Sequence, residues 1–221
     1  WVGILTSTLL GVSFVASLIL LIVTTGGIQF HVTLMEWIGA GDLYIPFGFL
    51  VDEVSATMMV VVTLVSTCVH VYSMGYMEHD KGFNRFFSYL SAFVFSMLVL
   101  VMSDNFAGLF IGWEGVGLCS WLLVGFWYHK KDVTRDVNPS ISPSWADNEA
   151  FIVNRIADLG MLIGLFLIYW FTGSLQYEQV FAAINSVDIE VVWWIGLFLF
   201  IGAMGKSAQF PLHTWLADAM E

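Results

Sequence analysis

Six runs of mainly apolar residues, each long enough to cross a bilayer, constrain this chain more than any other feature. Phe86 to Met102 passes without one charged residue, and roughly 20 apolar residues make a helix that spans the hydrocarbon. Strands of a membrane barrel alternate apolar and polar over about 10 residues; these runs do not, so a barrel is excluded. The chain is 58% hydrophobic and 11% charged, against about 45–50% and about 25% in soluble domains. The expected fold is therefore all-α, a polytopic transmembrane helical bundle. It forms a single transmembrane domain over 1–221 with about six spans, near 1–24, 49–73, 86–103, 106–128, 150–171 and 191–219.

The sixth run is interrupted. Gly202, Gly205 and Pro211 surround Lys206, and proline removes a backbone donor and clashes with the preceding turn, so two half-helices are expected. Loop charges orient the bundle. Lys81, Arg85, Lys130, Lys131 and Arg135 all fall in loops on one side, and the alternate loops 25–48, 104–105 and 172–190 hold no lysine or arginine. By the positive-inside rule the cationic side is cytoplasmic, or the matrix side in an organelle. The expected location is the bacterial inner (cell) membrane, ahead of the mitochondrial inner membrane. Loop 129–149 is polar and Pro/Ser-bearing, hence a mobile cytoplasmic excursion. Glu36, Asp42, Glu178, Asp188 and Glu190 are read as solvated loop charges, Asp52 as a boundary charge, and the many Trp and Phe as lipid-facing or interfacial anchors.

Several functions are excluded. A net charge of −11 gives no electrostatic footprint for nucleic acid. Cys68 and Cys119 lie inside apolar runs without a C-x-x-C partner, so neither a disulfide framework nor a metal cage is indicated. The glycines of Gly112-Trp113-Glu114-Gly115-Val116-Gly117 have the wrong spacing for a dinucleotide loop. The chain opens at Trp1 in apolar sequence without a charged leader, so no signal peptide is expected and the start reads as truncated.

Charges inside the spans are the functional clues, because each costs about 2.5–3.5 kcal/mol on insertion scales and such groups face a bundle interior or a water-filled path. Glu114 lies about 12 Å into the fourth span at 1.5 Å per residue, on a stripe with Gly117 and Trp121. Gly108 and Gly112 give that helix a tight-packing seam. A carboxylate at this depth suits a proton relay as well as a structural ion pair. Lys206 sits beside the expected break; desolvation and a nearby carboxylate pull a lysine's protonation in opposite directions, so it can hand a proton on and take it back. Arg155 and Asp158, three apart, share one helix face and form either a neutralising pair or a charge that biases its neighbours. His70 and His213, near membrane boundaries, are candidate proton acceptors.

Three strings carry a resemblance: Gly112-Trp113-Glu114-Gly115-Val116-Gly117-Leu118-Cys119-Ser120, Asn154-Arg155-Ile156-Ala157-Asp158, and Gly205-Lys206-Ser207-Ala208-Gln209-Phe210-Pro211-Leu212 running on to Met220. With His70 to Met77 and Arg85-Phe86-Phe87, they resemble the antiporter-like membrane subunits, of the subunit L or chain 5 type, of proton-pumping NADH:quinone oxidoreductase (respiratory complex I). The resemblance implies inverted five-helix repeats, each with a broken helix and a protonatable lysine. Proton translocation is then assigned to Glu114 and Lys206, which approach across helices, to Asp158 and Arg155 as coupling charges, and to His213 and His70. No catalytic, cofactor or metal site is expected in this chain; the complex is expected to use NADH, FMN, iron-sulfur clusters and a quinone. Expected partners are other complex I membrane subunits, especially neighbouring antiporter-like ones, and lipid, without nucleic acid. Against the family pattern an N-terminal span and the C-terminal part look missing, and loop 129–149 is long. The alternatives are the large subunit of a multi-subunit cation/proton antiporter and a non-conducting membrane scaffold subunit.

Overall fold

The computed structural model describes residues 1–41, 43–128 and 143–219. Most of the polar loop expected at 129–149, with Lys130, Lys131 and Arg135, lies outside the described residues, as does Asp42. Among the described residues six helices are long and apolar enough to cross a membrane: Val2–Thr24, Glu53–Tyr76, Phe83–Met102, Phe106–Trp127, Trp145–Thr172 and Ile189–Lys206. The helical membrane bundle read from the sequence is thus present. By compactness the chain divides into two units, Trp1–Cys119 and Ser120–Glu221.

The first unit holds α1 (Val2–Thr24), a hairpin of β1 (Phe30–Ala40) and β2 (Leu43–Val51), α2 (Glu53–Tyr76), α3 (Phe83–Met102) and most of α4 (Phe106–Val124). Its helices carry serines and threonines that return their hydroxyls to carbonyls four residues back. Thr8 donates to Ile4 at 2.8 Å, Ser17 to Ser13 at 2.8 Å and Thr63 to Met59 at 2.7 Å, which hides these polar groups from lipid. Asp52, read as a boundary charge, is the N-cap of α2. Its carboxylate accepts from the Ser55 amide, and Ser55 Oγ accepts from the Asp52 amide, both at 2.8 Å, a reciprocal capping box.

Residues 30–51, expected to be loop and the start of a span, form an antiparallel hairpin with register shifts between Thr33 and Met35 and between Glu36 and Ile38. The span therefore starts at Glu53 rather than near 49. β1 is exposed along almost its whole length, and an open strand edge is not tolerated in hydrocarbon, so the hairpin belongs outside it. It docks on the turn between α3 and α4. Asn105, 1% exposed, donates from Nδ2 to Pro46 O at 2.9 Å and to Asp104 Oδ1 at 2.6 Å, and its Oδ1 accepts from the Gly108 amide at 2.8 Å. His31 Nε2 lies 2.8 Å from Asp104 Oδ2. Beneath, Val51, Ala56 and Met59 make a buried core against Leu20, Leu21, Leu98 and Met102.

The second unit holds α5 (Pro143–Thr172), α6 (Tyr177–Ala183), α7 (Ile189–Lys206) and α8 (Thr214–Asp218), with a 3₁₀ turn at Gly125–Trp127. α5 begins well before the expected 150. α5 and α7 meet through a reciprocal glycine seam. A Cβ on Gly160 would stand 2.7 Å from Ile201 Cγ2, one on Gly164 3.0 Å from Leu199 Cδ2, and one on Gly202 2.6 Å from Met161 Cβ; one on Gly205 would strike Ala157. Small residues of this kind let membrane helices approach closely, where dispersion has to replace the hydrophobic effect.

A buried lysine and aspartate as candidate site

The glycine seam fixes what the sixth span presents. α7 ends at Lys206, five residues before Pro211, so Gly202 and Gly205 act as packing positions within the helix and the break starts beyond them. The exposed backbone is satisfied locally. Ser207 N donates to Ala203 O at 3.0 Å, Gln209 N to Met204 O at 3.0 Å and Ala208 N to Gly205 O at 3.1 Å, with Ala208 in the left-handed region at φ 48°. Gly205 O also accepts from the buried Trp215 indole at 3.1 Å, which ties α8 to the end of α7. In this way the helix stops without orphaned carbonyls.

Lys206 lies in the last turn, where the helix dipole favours a cation. Its Nζ is 3.8 Å from Asp158 Oδ2, with the two side chains 16% and 4% exposed. That separation is within coulombic contact but long for a direct hydrogen bond. Asp158 comes from α5, next to Ala157, whose methyl lies against Gly205; the seam and the ion pair are one packing arrangement. Arg155, one turn earlier on α5, lays its guanidinium 4.6 Å over the Phe151 ring, a cation–π contact. At the N-terminal end of α5, Thr214 of α8 donates to Glu149 Oε1 at 2.9 Å.

The other sequence-derived candidates are distributed differently. His213 is exposed at the start of α8, its ring 5.7 Å from Phe210. In the first unit His70 is fully buried. Its Nδ1 is 2.9 Å from Ser66 O and its Nε2 3.5 Å from Ser91 Oγ, with Phe87 edge-on at 5.7 Å. Both ring nitrogens thus meet polar atoms between α2 and α3. Glu114 is half-buried on α4. α3 packs on the other side of that helix: a Cβ on Gly112 would stand 2.5 Å from Leu100 N, and one on Gly115 2.6 Å from Ser96 Oγ. Counting about 100° per residue, Glu114 lies roughly 130° round the helix from that seam. Among the described residues no group of three His, Cys, Asp or Glu is placed to hold a metal ion. Sequence reasoning missed Asp104, Asn105 and His31, although the Ser-Asp-Asn string between two spans is a turn signal. It also missed Asp147, which it assigned to a loop.

Residues 37–87 match the model described as NADH-Ubiquinone oxidoreductase (complex I), chain 5 N-terminus, and residues 103–221 match NADH:quinone oxidoreductase/Mrp antiporter, TM. The chain is 57% identical to NADH-quinone oxidoreductase subunit L of Campylobacter jejuni over 220 residues, 100% of this chain and 34% of that protein. It is 46% identical to NADH-ubiquinone oxidoreductase chain 5 of Chondrus crispus, over 85% of this chain and 28% of that protein. It thus spans about a third of the length of these curated relatives. The fold recurs at TM-score 0.75 and 16% identity in respiratory complex I from Thermus thermophilus, covering 100% of this chain and 45% of that one. It recurs at 0.76 and 22% identity in the Mrp complex from Dietzia sp. DQ12-45-1b, covering 100% and 25%. With both family models matched in order along the sequence, and the glycine seam holding the lysine of the third sequence string against Asp158 of the second, the chain belongs to the NADH:quinone oxidoreductase/Mrp antiporter membrane family, in its subunit L (chain 5) group.

Proposed function

We propose that this chain acts in a proton-translocating membrane subunit of an NADH:quinone oxidoreductase, in which Lys206 takes up and releases the proton. The observation that supports the reading is the buried Asp158–Lys206 pair, 3.8 Å apart at the end of the candidate span Ile189–Lys206. An approaching carboxylate favours the ammonium form, and its withdrawal leaves desolvation to favour the neutral amine. Any motion that changes the charge facing Lys206 therefore moves a proton on or off it. Asp158 is the charge in direct reach, Arg155 one turn away shifts the local potential, and Glu114 on α4 is the second protonatable group of the relay. His213, exposed beside α8, is a candidate aqueous-side acceptor. His70, with both nitrogens engaged, has the weakest geometric case.

Loop charges orient the six-span module with the N-terminal end of α5 toward the cytoplasm, in a bacterial inner membrane. Each charge moved against the membrane potential costs about 2.3 kcal/mol per 100 mV. That work comes from quinone reduction elsewhere in the assembly, whose NADH, FMN, iron-sulfur clusters and quinone belong to other subunits; the partners of this one are the neighbouring membrane subunits. In the full-length subunit within the assembled complex, Lys206→Ala should sharply lower the number of protons moved per electron. Wild-type stoichiometry in that variant would refute the assignment. The family model's second name, the Mrp antiporter, supports a cation/proton antiporter as the competing reading. Sodium-dependent transport in vesicles, independent of NADH, would favour it.

A further inference from the structure

The inner face of α5 changes character at Asp158. Residues 147, 154, 158, 161, 165 and 168 fall on one stripe of the helix by its 3.6-residue period. From Asp158 toward the C-terminal end the stripe is buried and apolar, with Met161 6%, Leu165 5% and Ile168 1% exposed. Toward the N-terminal end it carries the polar Asn154 and Asp147, with the small buried Ala150 between them. Two acceptor atoms here are buried without a hydrogen-bond partner: Asn154 Oδ1, which lies beside Gly205, and Asp147 Oδ1. Asp147 is 7% exposed. Its carboxylate occupies the space left by the missing side chain of Gly125, since a Cβ there would strike it. A buried carboxylate oxygen with no protein partner costs stability unless water or a proton reaches it, and the two free acceptors lie in the half of the stripe that leads to Lys206.

We propose that Asp147 is the group that collects protons for Lys206 from the cytoplasmic side, passing them along the polar half of the α5 stripe by way of Asn154. This rests on the reading of Lys206 given above. Asp147 takes a proton from the aqueous phase and becomes a carboxylic acid. It releases that proton into water hydrogen-bonded at Asn154 Oδ1, and the proton ends on the neutral Lys206 amine beside Asp158. Asp147 returns to the carboxylate and is reprotonated from solution. Asn154 gains and loses no proton; it holds the path open. Asp147 and Asp158 are separated by about 16 Å of helix rise, a distance a few waters bridge. The apolar half of the stripe gives Lys206 no matching route toward the other face within this unit.

The test uses the full-length subunit in the assembled complex, in inverted membrane vesicles whose cytoplasmic face is outward. NADH:quinone turnover is measured with an uncoupler present, so that added acids do not act through the gradient. Asp147→Ala should lower turnover about 5–10-fold, Asp147→Glu should restore most of it, and millimolar formate should rescue the alanine variant without changing the wild type. Wild-type turnover in Asp147→Ala would overturn the proposal. So would a loss that neither glutamate nor formate repairs, because a purely structural aspartate would behave so; assembly is checked by native electrophoresis, and Asp147→Asn serves where alanine fails to assemble. Lys206→Ala measured in parallel separates the two readings. Its loss of pumping beside a normal Asp147→Ala removes only the intake, whereas its normal pumping removes the lysine assignment itself.

Discussion

Replacing Gly202 by alanine perturbs the ion pair without touching either charge. The new methyl would lie 2.6 Å from Met161 Cβ, 3.3 Å from its Cγ and 3.4 Å from its Sδ. A comfortable carbon–carbon contact is about 3.5–4.0 Å, and Met161 Cβ is fixed to the α5 backbone, so the helices must part by ~1 Å. Overpacking of this size costs about 1–3 kcal/mol. The same shift would lengthen the Lys206–Asp158 separation from 3.8 Å toward ~4.8 Å. In an effective dielectric of about 20 the pair attraction of ~4 kcal/mol would fall by about a fifth, ~1 kcal/mol. Gly196, on the same helix, meets nothing within 4 Å. Alanine there should stabilise by about 0.5–1 kcal/mol through helix propensity alone. Unfolding of the purified full-length subunit by titrated sodium dodecyl sulfate reads the two stabilities, and proton pumping per NADH in vesicles reads the function. Gly202→Ala should lose on both counts and Gly196→Ala on neither. Equal stability of the two variants would refute the seam argument, and an unstable Gly202→Ala with wild-type pumping would refute its link to the ion pair.

Four further outcomes follow from particular contacts. Asp158→Asn should destabilise the subunit by about 3–5 kcal/mol by leaving a buried ammonium without its facing carboxylate, and adding Lys206→Met should recover part of that loss; a double-mutant cycle with no coupling would contradict a working pair. Asn105→Ala removes three hydrogen bonds at about 1 kcal/mol each, so amide exchange in residues 30–51 should accelerate while that of α7 stays unchanged. Trp215→Phe deletes the indole donor to Gly205 O and should cost about 1 kcal/mol in the same dodecyl sulfate titration. Asp52→Ala removes the α2 cap, with an expected loss of about 0.5–2 kcal/mol.

Helix count, helix type and the lysine's place beside a break were legible because span length and the scarcity of charge in lipid are strong constraints. The hairpin was not, although its signals are present. Phe30, Val32, Thr33, Trp37 and Ile38 on one side, and Tyr44, Ile45, Phe47 and Phe49 on the other, flank the sequence Gly41-Asp42, a β-rich pair of runs around a turn signal. Reading by span length absorbed 49–51 into the next helix, and periodicity cannot separate a short apolar strand from the start of a membrane helix. The glycines of the sixth span were read as breakers for a similar reason. In lipid a glycine is as often a packing surface, and only the neighbours, Met161 for Gly202 and Ala157 for Gly205, decide which. Asp147 was invisible because α5 starts at Pro143, in a segment whose polarity reads as loop.

The seam and the charges on α5 explain each other's positions. Gly160 and Gly164 lie in the outer half of that helix and receive Ile201 and Leu199 of α7, so the two backbones are closest where the stripe is apolar and no water is needed. The contact continues through Gly202 to Gly205, whose neighbour is the Ala157 methyl, and there α7 stops. Past that point the space beside α5 is taken by α8 and the turn at Gly125, and the stripe becomes polar. A lysine placed a turn earlier on α7 would sit in the closed half, with dispersion but no acceptor. One placed later would lose the helix dipole that favours its charge and the tight approach that sets Asp158 at 3.8 Å. On the proposed reading, Lys206 stands where close packing, a helix terminus and the polar side chains of α5 meet, so moving the helix break by one residue should cost the function more than it costs the fold.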